Sequence, residues 1–345
     1  MLEGGGQIIR TSIALAALAG VDVRITKIRE KRPNPGLQAQ HVTAVTALAQ
    51  ICNAQTEGAS QGSRGLVFRP QGHRAGTFTF NVGTAGSIPL VLQALMPCLA
   101  FAPAPVQLDL TGGTDVKWSP SIDYVQLAIL PTLRLMGYEA TLHVNRRGHY
   151  PKGGGKVTFR IAPSRSLRAI QITKRTQLKS IEGVSHCVKL PSHVAQRQAD
   201  AARSKLAREG YDVKVAVETY SPDRDQHASP GSGITIVAKF ANGAVLGADA
   251  LGERGKPAEK VGEDCARIML EELESDASFD QHLGDILIPF MTVAEGRSEI
   301  SVTQITTHTM TNVRVAEQIL QVKFQVNGQV GKFGTIAVEG KGLKT

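Results

Sequence analysis

The chain has 345 residues, 42% hydrophobic and 20% charged, which excludes wholesale disorder and makes two domains the opening expectation. Lys and Arg number 39 against 30 Asp and Glu, and the formal charge of +9 favours polyanionic partners; with aromatics at 5%, a broad base-stacking platform is excluded as the main binding mode. No apolar run approaches the ~18 residues of a membrane span, no basic-then-apolar leader is visible, and Cys52, Cys98, Cys187 and Cys265 form no CxxC pair, so a cytoplasmic protein with buried reduced thiols is expected.

The first motif, EGGGQIIR from Glu3 to Arg10, opens a helix predicted over Gln7–Ala19, with Gly20 and then a strand through Val21, Val23 and Ile25 after it. Successive glycines let backbone N–H groups turn toward an anion, and the helix N-terminus adds positive partial charge. Glu3 beside such an anion would repel it unless a divalent cation lay between. A solvated, glycine-rich start accounts for the same residues. In IREKRPNPGLQAQH, Ile28 to His41, the cations Arg29, Lys31 and Arg32 precede Pro33 and Pro35, a stiff approach to a helix starting near Leu37. Rigid guanidinium groups suit bidentate phosphate binding; a basic surface loop is the plainer alternative.

GTAGS from Gly83 to Ser87 precedes a helix predicted over Ser87–Ala100, in which Gln93 is the polar residue within Ile88–Met96. A strand through Val106, Leu108 and Leu110 follows, then GGTDVKWSPSIDY, a helix over Ile122–Met136, and a strand through Ala140, Leu142 and Val144. From Ala140 to Ile181 there are ten Lys or Arg and no acid, which reads as either a solvated face or a phosphate-facing one. This stretch includes RRGHYPKGGGKV, Arg146 to Val157.

Between Ser180 and Ala277 the texture changes to a charged helix over His193–Arg208, strands at Val213–Val217, Ile234–Phe240 and Ala244–Ala250, and an amphipathic helix over Lys256–Leu273, with Asp223–Gly233 as a loop. Asn242-Gly243 predicts a hairpin turn. Beyond it come a helix over His282–Ala294, a strand through Ile300, Val302 and Ile305, and THTMTN, Thr307 to Asn312. His308 is read as lying among hydroxyls at a strand end, where a neutral imidazole can act as nucleophile or base; Asn312, a helical turn on, is a candidate to orient the loop and equally a packing residue. The helix-then-strand unit recurs four times, which suggests a pseudo-repeated α/β architecture.

EGGGQIIR, RPNPGLQAQH, GTAGS…LVLQ, GGTDV, YPKGGGKV and HTMTN together resemble the RNA 3′-terminal phosphate cyclase family over almost the whole chain. The resemblance implies an α/β (α+β) fold: a large catalytic domain of repeated βαβαββ units, related to the enolpyruvyl transferases, over residues 1–179 and 278–345, with a small α/β domain inserted over 180–277. It implies a ligase that uses ATP to adenylate a histidine, here His308, passes the AMP to an RNA 3′-phosphate and closes a 2′,3′-cyclic phosphodiester. Glu3 and Asp285 match the acidic positions near the triphosphate and a divalent metal, Mg²⁺ or Mn²⁺. Arg10, Arg29, Arg32 and Gln40 match phosphate and substrate positions. Gln93 and the run His282, Leu283, Gly284, Asp285 and Ile286 match adenylate-binding positions. Relatives commonly carry an aromatic residue where this chain has His282, which implies weaker stacking on adenine. The expected partners are ATP and RNA bearing a 3′-phosphate, with no membrane; the oligomeric state stays open, a dimer included. The alternative is a non-catalytic ribosome-assembly paralogue that binds RNA; such paralogues lack the histidine present here as His308.

Overall fold

Burial alternates with period two along Val106–Gly112 and Gly155–Ala162, so each strand turns one face to helices and the other outward. The computed structural model describes residues 5–344 and is a mixed α/β fold with four sheets among the described residues. One four-stranded sheet runs, in spatial order, Gly76–Asn81, Val106–Gly112, Gly155–Ala162, Glu139–Arg146; its first pair is parallel and the others antiparallel. A second runs Gln171–Ile172, Arg297–Val302, Gly334–Glu339, Phe324–Gly328 with the same pattern of directions. The three-stranded sheet, Val23–Ile25, Leu66–Arg69, Gln55–Glu57, is antiparallel throughout and matches the last three positions of that order. Helices Gly6–Ala19, Ala39–Ile51, Ile88–Leu99, Gln281–Val293 and Thr307–Leu320 pack against these sheets and one another around a single apolar core.

A separate apolar cluster containing Ile181, Ile236, Leu246, Cys265 and Met269 lies within residues 180–277. Its sheet is ordered Val213–Glu218, Leu178–Val188, Gly231–Phe240, Val245–Leu251, with helices His193–Arg208 and Ala258–Glu274 packed on it. The hairpin turn at Asn242-Gly243 forms with Gly243 at φ 89°, a conformation that favours glycine. All four cysteines are buried and free. No helix among the described residues is long and apolar enough to cross a membrane.

Three local expectations are corrected. The helix expected over Ile122–Met136 is broken into Ile122–Tyr124, a π-helical turn Val125–Ile129, and Leu130–Leu135. Pro131 has no N–H to give Leu127, and the wider turn just before it absorbs the loss. The strand beginning at Gly231 takes over the end of the loop expected through Gly233, because Gly231–Gly233 pair with His186–Val188. His308 lies in the first turn of a helix rather than at a strand end. Thr306 caps that helix by accepting from Thr309 N at 2.9 Å, while Thr309 Oγ1 accepts from Thr306 N at 3.0 Å.

Candidate functional site

Three helix N-termini are tied together by side chains far apart in sequence. Asn312, wholly buried in the helix Thr307–Leu320, accepts through Oδ1 from Gln7 Nε2 at 2.9 Å and Thr11 Oγ1 at 2.7 Å, both on the helix Gly6–Ala19. Its amide donates to the Asp285 carbonyl at 2.9 Å, which brings in the helix Gln281–Val293. That third helix is capped by Asp280, which accepts from His282 N and Leu283 N at 2.9 and 3.0 Å and from Tyr124 Oη at 2.6 Å. Three positive helix ends thus share one locality.

Asp285 sits at the centre of this junction, buried, with its carboxylate accepting from Thr306 Oγ1 at 2.9 and 3.0 Å and from Thr309 Oγ1 at 2.5 Å. Desolvation pushes its pKa up to about 7 despite the two hydroxyl donors. His308 Nδ1 lies 3.8 Å from Asp285 Oδ2, and the imidazole is half exposed at 46%. The backbone thus holds a half-exposed ring beside a buried carboxyl at a helix start.

The basic residues gather on the neighbouring helix ends. Arg10 donates to Gln7 Oε1 at 2.5 Å, while its Nε is buried without a hydrogen-bond partner among the described residues. Burial lowers the Arg10 pKa to about 10. His41 is buried against Gly6, where any Cβ would fall 2.1 Å from His41 Nε2, so the contact requires glycine. Desolvation, then the charges of Arg10 and Arg29, hold the His41 pKa down to about 3. Arg29 adopts φ 52° and donates to the carbonyls of Asn34 at 2.7 Å and Gly36 at 3.2 Å, so the loop itself fixes its guanidinium. Burial and then the charge of exposed Arg32 lower the Arg29 pKa. Gln40 accepts from Ser87 N at 3.1 Å and thereby joins the Gly83–Ser87 turn to this corner.

The remaining expected residues differ in what they can reach. Gln93 is the residue of the helix Ile88–Leu99 that is not buried. His282 is exposed, whereas Leu283 belongs wholly to the core and Ile286 is nearly as buried. Gly284 packs on Val302, whose Cγ1 would lie 2.3 Å from an added Cβ. Glu3 lies outside the described residues. Thr306, Thr309, Gln7 and Thr11 were not singled out in sequence; the Thr-x-x-Thr cap was the readable signal for two of them.

The basic run also needs correction at one position. Arg147 is 2% exposed, and its five N–H groups are taken by Asp123 at 2.8 and 3.0 Å, Glu218 at 2.8 and 2.7 Å, and Asp115 at 3.3 Å. It cannot face solvent phosphates. Lys152, Lys156, Arg160, Arg165, Arg168, Lys174 and Lys179 are exposed.

The geometry fits an anionic ligand: an orphaned guanidinium donor, converging helix ends and a nearby imidazole. A carboxylate surrounded by hydroxyl oxygens at Asp285 is also a donor set suited to a hard divalent cation. The sequence profile described as RNA 3′-terminal phosphate cyclase matches residues 1–326. The chain is 47% identical to the RNA 3′-terminal phosphate cyclase of Hyperthermus butylicus, over 98% of this chain and 96% of that one. It is 48% identical to that of Pyrobaculum neutrophilum, over 99% and 96%, and 48% identical to that of Caldivirga maquilingensis, over 94% and 92%.

Proposed function

The chain belongs to the RNA 3′-terminal phosphate cyclase family, and from that premise we propose that His308 carries AMP from ATP to an RNA 3′-phosphate, which then closes to a 2′,3′-cyclic phosphodiester. The observation that carries this reading is the His308–Asp285–Thr306–Thr309 arrangement at a capped helix start. His308 Nδ1 lies 3.8 Å from Asp285, and Nε2 is read as the atom that attacks the α-phosphorus of ATP. The new N–P bond forms as the bond to pyrophosphate breaks. An oxygen of the RNA 3′-phosphate next displaces the imidazole from phosphorus, and the 2′-OH then attacks the RNA phosphorus and expels AMP. A phosphate monoester lacks a good leaving group; adenylation provides one.

Arg10, Arg29 and Arg32 supply cations where phosphates would lie, and the fixed Arg29 fork suits bidentate binding. Asp285, with Glu3, would hold a Mg²⁺ or Mn²⁺ ion, which when bound screens the triphosphate charge from the carboxylates. Gln93 and exposed His282 are read as adenylate contacts, while Leu283, Gly284 and Ile286 shape the floor through packing and backbone. The exposed lysines and arginines of 152–179 are read as contacts to RNA phosphates. The shared strand order supports reading 1–179 and 278–345 as repeated βαβαββ units, with 180–277 inserted after the strand Gln171–Ile172.

Incubation with α-labelled ATP followed by denaturing electrophoresis tests the central step. His308→Ala should lose the protein-bound label and cyclisation of 3′-phosphate RNA, by more than ~100-fold. It should still close RNA supplied already adenylated at its 3′-phosphate. Undiminished labelling, or label on a lysine, would overturn the assignment.

A further inference from the structure

Away from His308, Asp115, His149 and His186 bring one ligand atom each to within 4.8 Å of one another, all three buried. They arrive from different parts of the fold. Asp115 follows the strand Val106–Gly112, His149 lies in the connection between Glu139–Arg146 and Gly155–Ala162, and His186 belongs to the strand Leu178–Val188. The backbone locks two of them together through a parallel bridge between Asp115 and His149. Gly231 leaves room for the His149 ring, since an added Cβ would lie 2.1 Å from its Cγ.

The side chains are satisfied only in part: Asp115 Oδ2 accepts from Thr114 Oγ1 at 2.7 Å and from Arg147 at 3.3 Å, which leaves other atoms of the group unpaired. Asp115 Oδ1 and His186 Nδ1 are buried without hydrogen-bond partners among the described residues, a costly state for a carboxylate oxygen and an imidazole nitrogen. The Nε2 atoms of His149 and His186 face each other at 3.2 Å. Two nitrogens on one tetrahedral zinc, each at ~2.0 Å, stand about 3.3 Å apart with ring centres about 5.1 Å apart. An in-line N–H···N contact of the observed length would put the centres about 5.5 Å apart. The observed ring separation is 5.2 Å. Behind the ligand atoms, His186 Nδ1 lies 3.7 Å from Asp123 Oδ2, the carboxylate that would orient a metal-binding imidazole. Charge points the same way: Asp115, Asp123 and Glu218 surround the single cation Arg147, two positive charges short of balance.

We propose that Asp115, His149 and His186 form a buried binding site for a divalent transition metal of zinc type, which clamps the strand Leu178–Val188 of the second core to the loops at 115 and 149. Two imidazoles and one carboxylate select zinc, cobalt or nickel over magnesium or calcium. Three protein ligands leave the fourth tetrahedral position to water, and the burial of all three gives the ion a role in holding these segments together, acquired as the chain folds. The inference does not rest on the reading of His308.

The test is metal analysis of the full chain, produced without a polyhistidine tag and dialysed against zinc-containing and then metal-free buffer. About one equivalent of Zn²⁺ should remain, and metal-depleted protein refolded with Co²⁺ should gain the visible d–d absorption of a tetrahedral site. His149→Gln and His186→Gln should each lower retained zinc at least ~10-fold, while Asp285→Asn and His308→Ala keep it. If those two variants fail to fold, the wild-type cobalt spectrum and the rise in Tm on adding zinc to depleted protein still decide. Folded wild type that holds less than ~0.1 equivalent and shows no cobalt spectrum overturns the site, as does zinc lost on Asp285→Asn and kept on His149→Gln.

Discussion

His41 illustrates how a single residue's surroundings set its chemistry. Its Nδ1 accepts from Gln38 N at 3.0 Å, closing a capping box at the start of the helix Ala39–Ile51, and its other nitrogen lies against Gly6. With a folded pKa of about 3, it stays neutral while an unfolded imidazole protonates below ~6.5. The unfolded state then binds the extra proton, so stability present above pH ~6.5 is lost as pH falls toward 3. Glutamine at the same capping position keeps the box without titrating. His41→Gln should flatten the acid limb of stability, recovering up to about 4 kcal/mol near pH 4 and little at pH 8 in urea denaturation. An unchanged acid limb would mean that His41 is not the group that titrates. At this scale the sequence named the residues that the structure sets at neighbouring helix ends, Asp285, His308, Arg10, Arg29 and Gln40, through motifs and the family resemblance they carry. The contacts were not legible, since Gln7 and Asn312 are 305 positions apart and no local pattern joins them.

Elements were read well where the hydrophobic period was clear, as for the helix His193–Arg208, or a turn signal was strong, as for the hairpin at Gly243. They were misread where a local signal conflicted with the period. The threonine-rich run Thr306-Thr307-His308-Thr309 suggests strand, yet the reciprocal Thr306–Thr309 cap starts a helix there. Pro131 likewise widens a turn that the apolar period alone would continue. The end of the helix Ala258–Glu274 holds a further cost invisible in sequence. Glu272 is buried, its Oε2 has no hydrogen-bond partner among the described residues, and desolvation together with nearby Asp280 raises its pKa to about 8. A folded pKa above the unfolded value means stability is present below pH ~4.5 and declines as pH rises through 8. Glu272→Gln should therefore stabilise the protein by up to about 5 kcal/mol at pH 9 and by almost nothing at pH 4.5, a difference readable from paired denaturation curves. Equal stabilisation at both pH values would show that packing, not ionisation, is responsible.

At the scale of the whole molecule, the sheet of the second core packs Val237 and Val245 into the first core, and polar groups add ties across the same face. Tyr124 Oη donates to Asp280 at 2.6 and 2.7 Å, Gly247 N donates to the same carboxylate at 2.9 Å, and Ser121 N donates to Asp249 at 3.0 Å. The strongest tie is Arg147, which pairs with Asp115 and Asp123 beside the first core and with Glu218 of the strand Val213–Glu218. Its significance was illegible in sequence: in a run of ten cations without an acid, Arg147 looks like its neighbours, and its three carboxylates come from distant segments. Removing a buried cation leaves its partners charged and uncompensated, a loss of about 3–5 kcal/mol, more than an exposed pair is worth. Arg147→Met should therefore destabilise by that amount, whereas Arg160→Met, at an exposed strand position, should change stability by less than ~0.5 kcal/mol. The location of the loss should be distinctive. If Arg147 joins the cores, its removal should split one denaturation transition into two, with the near-ultraviolet signal of buried Tyr124 and Tyr138 lost apart from the unfolding of 180–277. Hydrogen exchange should then be faster in the strands Leu178–Val188 and Val213–Glu218 than in Val106–Gly112. A single transition shifted by a few tenths of a kcal/mol would instead mean that the two cores hold together without this charge network.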